Sequence, residues 1–315
     1  MQPDCKFAGS TPSLKWMRWC VLMMTLALAG CAHSGSAGPK VDAALSTLVP
    51  QDTVLMVGTR LEALLKLPVY QKNFAGKQLS QVDQFTSRTG LDPRKDLWEL
   101  LYVSNGHRGV MLGRGQFADE MLAPRLEKEG GERMDYKGLT LIGHERSAMA
   151  FLSPTTAAVG DVPALHDLID QRAVSHGPPV ALAGLMKQIP AESQFWAAYS
   201  GGPVRLPFDE NSNLGNLNRL LTSLQTGTIY FDLSNGLNGV AQGDCTSDAS
   251  AQDVEGALKA LIGLGRLSVP KNQPELTQIY DGLRVTQEGH RVKLYIDVPQ
   301  GMVDKFLGMW MGRGR

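Results

Sequence analysis

The sequence lacks the features that mark several whole classes of proteins. Only 4 of its 315 residues are cysteine, 7% are aromatic, and 31 Lys plus Arg are balanced by 31 Asp plus Glu. Because the chain has neither an excess of positive charge nor a run of five like charges, it lacks the electrostatic footprint of a DNA- or RNA-binding protein. Its composition also excludes a collagen, a disordered chain and a multi-span membrane protein. With 43% apolar residues, it can build one large domain or two small ones.

Most sequence motifs for catalysis are absent as well. The chain has no G-x-S-x-G elbow and no Walker loop, so the nucleophilic chemistry of that elbow and phosphoryl-transfer chemistry have no sequence anchor. The histidines do not follow metal-ligand spacing, and His144-Glu145 lacks the second histidine that a zincin helix needs. The histidines are His33, His107, His144, His166, His176 and His290. We therefore predict no metal and no cofactor, although catalytic groups that converge from distant positions would leave no motif.

One glycine-rich segment matches a pattern that is typical of dinucleotide binding. Gly113–Ala118 fits the pattern G-x-G-x-x-A, but it follows a hairpin strand instead of the first strand of a parallel βαβ unit. The corresponding segment of the second half, Gly243–Asp248, keeps the first glycine and loses the second. We therefore expect the shared glycine to serve a corner between a strand and a helix, not a cofactor.

The N-terminal residues have the layout of a signal peptide. Lys15 and Arg18 place positive charge ahead of an apolar run from Trp19 to Gly30. A run of this length is too short to cross about 30 Å of hydrocarbon as a stable helix, but it fits the core of a signal peptide. The run ends in Leu28-Ala29-Gly30-Cys31.

This ending resembles the lipobox of bacterial lipoproteins. The resemblance implies that the thiol of Cys31 is diacylated and that the chain is cut just before this residue. Ala32 implies sorting to the outer membrane, because the usual signal for retention at the inner membrane is Asp at that position. Residues 1–30 would then be a signal peptide, starting at Met1 or Met17, and residues 31–44 a lipidated cysteine with a flexible tether. The alternative is that Cys31 is an ordinary small residue in a secretory cleavage region.

Cleavage before Cys31 would change the charge and the thiols of the mature protein only slightly. It would remove three of the 31 basic side chains and one of the 31 acidic ones, which leaves a net charge of −2. Cys5 and Cys20 would also be lost, so Cys245 would have no intramolecular partner for a disulfide. We interpret Cys245 as a half-buried small residue at a strand end, the alternative being a reactive or intermolecular thiol.

The mature sequence contains two sets of matching segments. A proline turn before a strand occurs at 49–53 and again at 189–193. Ser104-Asn105-Gly106 recurs as Ser234-Asn235-Gly236, and Asn-Gly between β-prone runs predicts a hairpin whose two central residues take positive φ. Each hairpin is followed by a helical pattern, then by two strands, then by Val-Pro and a last helix. The predicted helices are 118–129, 164–170, 249–264 and 302–310, and the predicted strands are 139–143, 148–152, 283–286 and 292–298.

These matches predict an α+β protein of two tandem β-α-β-β-α-β-β-α repeats, related to the ferredoxin-like split βαβ, with mainly antiparallel sheets. Further helical patterns between the first strand and the hairpin of each half lie at 61–67, 79–89, 94–99 and 214–224. We place repeat 1 at residues 45–176, a linker at 177–184, repeat 2 at 185–311 and a tail at 312–315. The sequence leaves open whether the two sheets merge or stack.

One loop of the second half invites a metal assignment. Asp232, Ser234 and Asn238 suggest a calcium loop, but the full spacing of such a loop and its distal Glu are missing. We therefore predict a simple turn there.

The last helix carries two overlapping apolar stripes. A stripe exposed to a partner or a membrane would contain Met302, Phe306, Met309 and Trp310. A helix docked on the core would bury residues at helical spacing, namely Val303, Phe306, Leu307 and Trp310. We favour the docked helix.

These observations favour a binding protein over an enzyme. We predict a lipid-anchored module at the periplasmic face of the outer membrane, non-catalytic, whose partner is an envelope protein, a peptide or a small ligand in a groove between the two units. An envelope hydrolase with an unrecognised site is the first alternative, and a polar cluster with shifted pKa values inside a pocket would favour it. A structural spacer is the second alternative. It would have neither a deep pocket nor a sizeable exposed apolar patch.

Overall fold

A single antiparallel sheet organises the molecule. The computed structural model describes residues 38–144, 146–202 and 223–312, and in these ranges twelve strands join one sheet. The strands are β1 Leu55–Arg60, β2 Leu97–Ser104, β3 Gly109–Gly115, β4 Glu132–Tyr136, β5 Leu139–His144, β6 Ser147–Ser153, β7 Thr156–Gly160, β8 Phe195–Tyr199, β9 Leu224–Asp232, β10 Leu237–Cys245, β11 Leu283–Glu288 and β12 Arg291–Val298. Their order across the sheet is β11-β12-β10-β9-β8-β1-β2-β3-β7-β6-β5-β4.

Helices cover both faces of this sheet. They are α1 Ala43–Ser46, α2 Leu61–Leu64, α3 Pro68–Asn73, α4 Ser80–Thr89, α5 Asp119–Lys128, α6 Val162–Gln171, α7 Val180–Met186, α8 Asp248–Leu267, α9 Thr277–Asp281 and α10 Gln300–Gly312, with a 3-10 turn at Pro274–Leu276. Because side chains alternate along a strand, Leu101 packs in a core with α1, α6 and α7, whereas its neighbour Leu100 packs in a core with α5. A third core joins α8 to β11 and β12.

The coarse prediction of an α+β protein with mainly antiparallel strands is confirmed, and so are most of its local elements. Both Asn-Gly segments form hairpins, and α5, α6, α8 and α10 occupy the predicted helical segments. Local capping explains where two of these helices begin. The Asp161 carboxylate accepts the N–H of Ala164 at the start of α6, and the Ser247 hydroxyl accepts the N–H of Ser250 at the start of α8.

The predicted relation to the ferredoxin-like split βαβ is not confirmed. In a split βαβ the first strand lies beside the third, whereas here β1 pairs with β2 on one side and with β8 on the other. The first half also contains β4 and β7, which the sequence analysis did not predict. The helix predicted at 94–99 is wrong as well, because β2 begins at Leu97 and extends the pairing with β3.

The hairpin turns also differ from the predicted geometry. Gly106 and Gly236 have φ values of 90° and 89°, but neither asparagine has a positive φ. Asn105 instead accepts the N–H groups of His107 and Arg108 with its Oδ1 atom, which closes a longer turn.

The predicted boundaries of the folded body can be compared with the described residues. Gly38 is buried and α1 begins at Ala43, so structure starts inside the predicted tether. The second half of the predicted linker belongs to α7, because Leu182 is fully buried in the core. The helical pattern at 214–224 lies mostly outside the described residues. The described residues belong to one compact unit.

The two halves of the sheet meet where β1 pairs with β8. Gly58 lies directly opposite Trp196, whose side chain is 1% exposed. A Cβ atom on Gly58 would lie 2.4 Å from Cε2 of Trp196, so the indole ring occupies the space above the glycine. This close approach requires a residue without a side chain at position 58. It brings β1 and β8 into tight contact at the centre of the sheet.

Candidate functional site

An apolar cavity of about 450 Å³ lies between α3, α10 and the hairpin of β9 and β10. Its lining residues are aliphatic or aromatic and come from separate elements of the second half and from the segment of α2 and α3. Those used below are Val69, Tyr70, Phe74, Met302, Val303 and Phe306. We call this space the apolar cavity.

Local sequence explains why these side chains converge. Pro68 occupies the first turn of α3, where its missing N–H costs nothing, and Phe74 is the C-cap residue that follows Asn73. On α10, Met302, Val303 and Phe306 recur at helical spacing and therefore share one face. Met302 is 8% exposed, but Phe306 is 52% exposed, so this face is only partly covered.

Polar contacts hold α10 against α3. Asp304 Oδ2 accepts Lys72 Nζ at 2.5 Å, and Asp304 Oδ1 accepts Asn73 Nδ2 and Gln300 Nε2, each at 2.9 Å. Gln300 in turn accepts the N–H of Gly236 from the β9–β10 hairpin at 2.8 Å. The hydrogen bond from Lys72 is the largest cause of the lowered pKa of Asp304. We call this group the Asp304 clasp.

A polar basin of about 460 Å³ adjoins the apolar cavity, because Tyr70 and Phe74 line both. Arg94 in the basin pairs with Asp92 at 2.8 Å and with Asp83 at 2.9 Å. These bonds lower the pKa of Asp92 and raise that of Arg94, so both groups stay charged. The pair therefore supplies no group that titrates near neutral pH.

A second apolar surface lies on the sheet itself, between α4 and α5. This sheet groove has a volume of about 380 Å³. Phe85, Met111 and Val159 line it and are 43%, 37% and 42% exposed. Gly113 also lines the groove, and a Cβ there would lie 3.1 Å from Phe117. Gly113 therefore lies inside β3, where the strand packs closely against Phe117, and not at the predicted corner between a strand and a helix.

The structure does not gather the sequence-derived candidates into one site. Cys31, the predicted lipidation residue, lies outside the described residues. Cys245 lies at the end of β10 and is 1% exposed, and burial raises the pKa of its thiol. The carboxylate of Asp232 accepts the N–H of Ser234, as a turn requires. His166 stacks on Tyr136 with ring centroids 3.6 Å apart.

One partly buried carboxyl group has a strongly shifted pKa. Burial, the largest cause, raises the pKa of Glu99 to about 7. Its two oxygens accept the backbone N–H of Asp42 at 3.1 and 3.2 Å, which ties the start of α1 to β2. Glu99 lines neither the apolar cavity nor the polar basin nor the sheet groove, so we assign it a structural role.

The described residues hold no cluster of three or more His, Cys, Asp or Glu that is able to bind a metal ion. Among the same residues, no helix has both the length and the apolar character needed to cross a membrane.

Neither α3 nor the wall formed by Tyr70 and Phe74 was predicted from the sequence. The helical pattern at 61–67 stopped one residue before Pro68, although a proline after Leu67 is itself a signal for a helix start.

Comparison with known proteins adds little to this picture. No protein-family model matches the chain, and no curated protein sequence matches it. Crystal forms I and III of TP0453 are each 11% identical, with TM-scores of 0.45 and 0.48. They cover 86% and 85% of this chain, which correspond to 98% and 97% of theirs. Crystal form IV is 9% identical with a TM-score of 0.45. Likeness at this level leaves the function to be argued from the chain's own residues.

Proposed function

We propose that this chain is a lipid-anchored module of the bacterial cell envelope that binds an apolar ligand in the apolar cavity, without catalysis of its own. The observation that carries the proposal is the cavity itself, with about 450 Å³ of space and a lining of aliphatic and aromatic side chains. Ligand pockets generally enclose about 300–1,000 Å³ and are lined mainly by such side chains.

The exposure of apolar side chains in this space supports the assignment. Removing apolar surface from water is favourable by roughly 25 cal/mol per Å². Here α10 is fixed against α3 by the Asp304 clasp, while Phe306 stays half exposed at the cavity. An apolar ligand would cover this ring and remove it from water.

The alternatives are less well supported by the same surfaces. A spacer needs neither a deep cavity nor exposed apolar side chains, and the chain has both in the apolar cavity and the sheet groove. A hydrolase would need an acid or a base inside its binding cavity. Among the described residues, no Asp, Glu, His, Lys or Cys lines the apolar cavity, and Asp92 and Arg94 of the basin are held in their charged forms.

The anchor rests on the N-terminal sequence. Leu28-Ala29-Gly30-Cys31 after a basic flank and an apolar run supports lipidation of Cys31, and Ala32 supports the outer membrane. The chain should incorporate an alkyne-tagged fatty acid in cells, and Cys31→Ala should abolish the label. Cys245→Ala is the matched control and should keep it. Equal labelling of both variants would remove the anchor from the proposal.

The tandem organisation of the fold also belongs to the proposal. Outward from the centre, one half runs β1-β2-β3-β7-β6 and the other runs β8-β9-β10-β12-β11. This shared order supports a duplicated unit in which β11 corresponds to β6. The first half then carries the hairpin of β4 and β5 as an addition at its edge.

Binding can be tested with N-phenyl-1-naphthylamine, a neutral apolar fluorophore. Residues 36–315, which contain the whole described fold, should bind it at a single site. Val303→Trp should weaken this binding at least tenfold, because the indole fills the cavity that Val303 lines. Val174→Trp is the matched control, because Val174 is 66% exposed and lies outside the cavity.

A second measurement guards against a variant that fails to fold. An alkyl diazirine probe, photoactivated on the unmodified chain, should crosslink to peptides that contain α3 or α10. Crosslinks confined to the sheet groove, or binding unchanged in a folded Val303→Trp variant, would refute the apolar cavity as the site.

A further inference from the structure

The apolar cavity and the polar basin share one wall. Tyr70 and Phe74 line both spaces, and their rings are stacked with centroids 5.7 Å apart. A ligand lying across this wall would place one part among aliphatic side chains and another among charged ones. Such a division of a binding site suits an amphiphile.

The side chains that line the basin carry a net positive charge. Three cationic side chains line it, namely Lys77, Arg94 and Lys95, against the carboxylates of Asp83 and Asp92. Arg94 is committed to those two carboxylates. Among the described residues, Lys77 and Lys95 form no ion pair, and both side chains are exposed to the basin's solvent.

We propose that the chain binds an amphiphile with one hydrocarbon chain and an anionic head group, the chain in the apolar cavity and the head group beside Lys77 and Lys95. The cavity volume of about 450 Å³ is near the lower end of the range for ligand pockets, which suits one chain better than two. A carboxylate and a phosphate share the needed chemistry, since either accepts hydrogen bonds from lysine ammonium groups.

This inference rests on the proposed function and names its ligand class. The geometry assigns separate roles to the two spaces, so each role can be removed alone. Filling the cavity should abolish binding of every apolar compound. Neutralising Lys77 and Lys95 should remove only the preference for an anionic head group.

The test is displacement of N-phenyl-1-naphthylamine from residues 36–315, which lack Cys31 and therefore lack acyl chains of their own. The competitors, used below their micelle concentrations, are palmitate against hexadecanol and palmitoyl-lysophosphatidylglycerol against palmitoyl-lysophosphatidylcholine. The anionic member of each pair should displace the probe at about tenfold lower concentration, as expected for two lysine contacts in a partly solvated site. Comparing palmitate with the anionic lysophospholipid distinguishes a free fatty acid from a phospholipid source.

Two double variants complete the experiment. Lys77→Gln with Lys95→Gln should reduce the tenfold preference to about onefold while hexadecanol competes as before. Lys128→Gln with Lys187→Gln is the control, because both lysines are exposed and line neither space. Equal displacement by anionic and neutral competitors, with probe binding still lost in Val303→Trp, would overturn the amphiphile and leave the proposed function standing. Absence of probe binding altogether would overturn both.

Discussion

At the scale of single residues, the partly buried carboxyl group of Glu99 has the clearest energetic consequence. The Glu99 carboxyl accepts the backbone N–H of Asp42. Its partial burial, however, disfavours the charged carboxylate form. The charges nearest to it are mixed: Arg60 lowers its pKa, and Asp42 and Glu62 raise it. Burial outweighs these and sets the pKa to about 7.

The contribution of Glu99 to the free energy of unfolding should therefore decrease as the pH rises towards neutrality. A carboxyl whose pKa is raised on folding contributes its stability below the unfolded value of 4.5, and this contribution is lost as pH rises through about 7. Glu99→Gln stays neutral throughout. We expect the free energy of unfolding of Glu99→Gln, relative to the natural protein, to rise between pH 5 and pH 8 by an amount on the order of 1 kcal/mol, small because the side chain is partly solvated.

Urea unfolding at the two pH values measures this difference. Glu132→Gln is the control, because Glu132 is exposed on β4 and has no ion pair among the described residues. A gap between Glu99→Gln and the natural protein that is the same at both pH values would show that Glu99 is already ionised at pH 5.

At the scale of elements, α10 is held by polar contacts in addition to its apolar face. Asp304 accepts hydrogen bonds from Lys72 and Asn73 of α3, and its pKa is lowered by them. A lowered pKa contributes stability above the unfolded value of 3.8, and this contribution is lost as pH falls through the folded value. Asp304→Asn should therefore lower the free energy of unfolding at pH 6 by about 1–3 kcal/mol.

The same variant has a pH signature that a packing defect would not have. Its deficit should shrink as pH falls below 3.8, because Asp304 of the natural protein then becomes protonated too. Asp253→Asn is the control on α8, since Asp253 is exposed and unpaired among the described residues. A deficit that stays constant down to pH 3 would mean that the charge of Asp304 does not hold α10 to α3.

Local pattern predicts the elements of this chain better than their arrangement. Turn chemistry located both hairpins, and proline after valine located α6 and α10. The helix prediction for 94–99 was wrong although the pattern of this segment fits a helix. Residues from Leu97 onward pair with β3 instead, and Glu99 accepts a hydrogen bond from Asp42. These partners lie outside the segment, so the periodicity of its own residues does not indicate them.

The candidate site shows the same limit. Its α10 residues were visible as an apolar stripe, but the decision between a docked helix and an exposed stripe depends on neighbours. Met302, which belongs to the predicted exposed stripe, is only 8% exposed, and Phe306, which belongs to both predicted stripes, is 52% exposed. The cavity forms where α3 and the β9–β10 hairpin approach this helix. These elements are distant in the sequence, so residue spacing within the helix does not predict the contact.

At the scale of the whole molecule, the pairing of β1 with β8 determines whether two halves behave as one body. Five residue pairs join these strands. The core beneath them runs from α6 in the first half to Trp196 and Ala198 in the second. Because this core is shared, the described fold should unfold in one cooperative transition although its sequence predicted two units.

Gly58 tests this continuity directly. The methyl group of Gly58→Ala would lie 2.4 Å from Trp196, so the indole or the strand must shift, at a cost of about 1–3 kcal/mol. Gly263→Ala is the matched control in α8, where a Cβ meets nothing within 4 Å, and it should stabilise by about 0.5–1 kcal/mol. Fluorescence and circular dichroism should report one shared urea midpoint, lowered in Gly58→Ala for both signals. Two separate midpoints in the natural protein would mean that β1 and β8 join halves that fold independently, and Gly58→Ala would then shift only one of them.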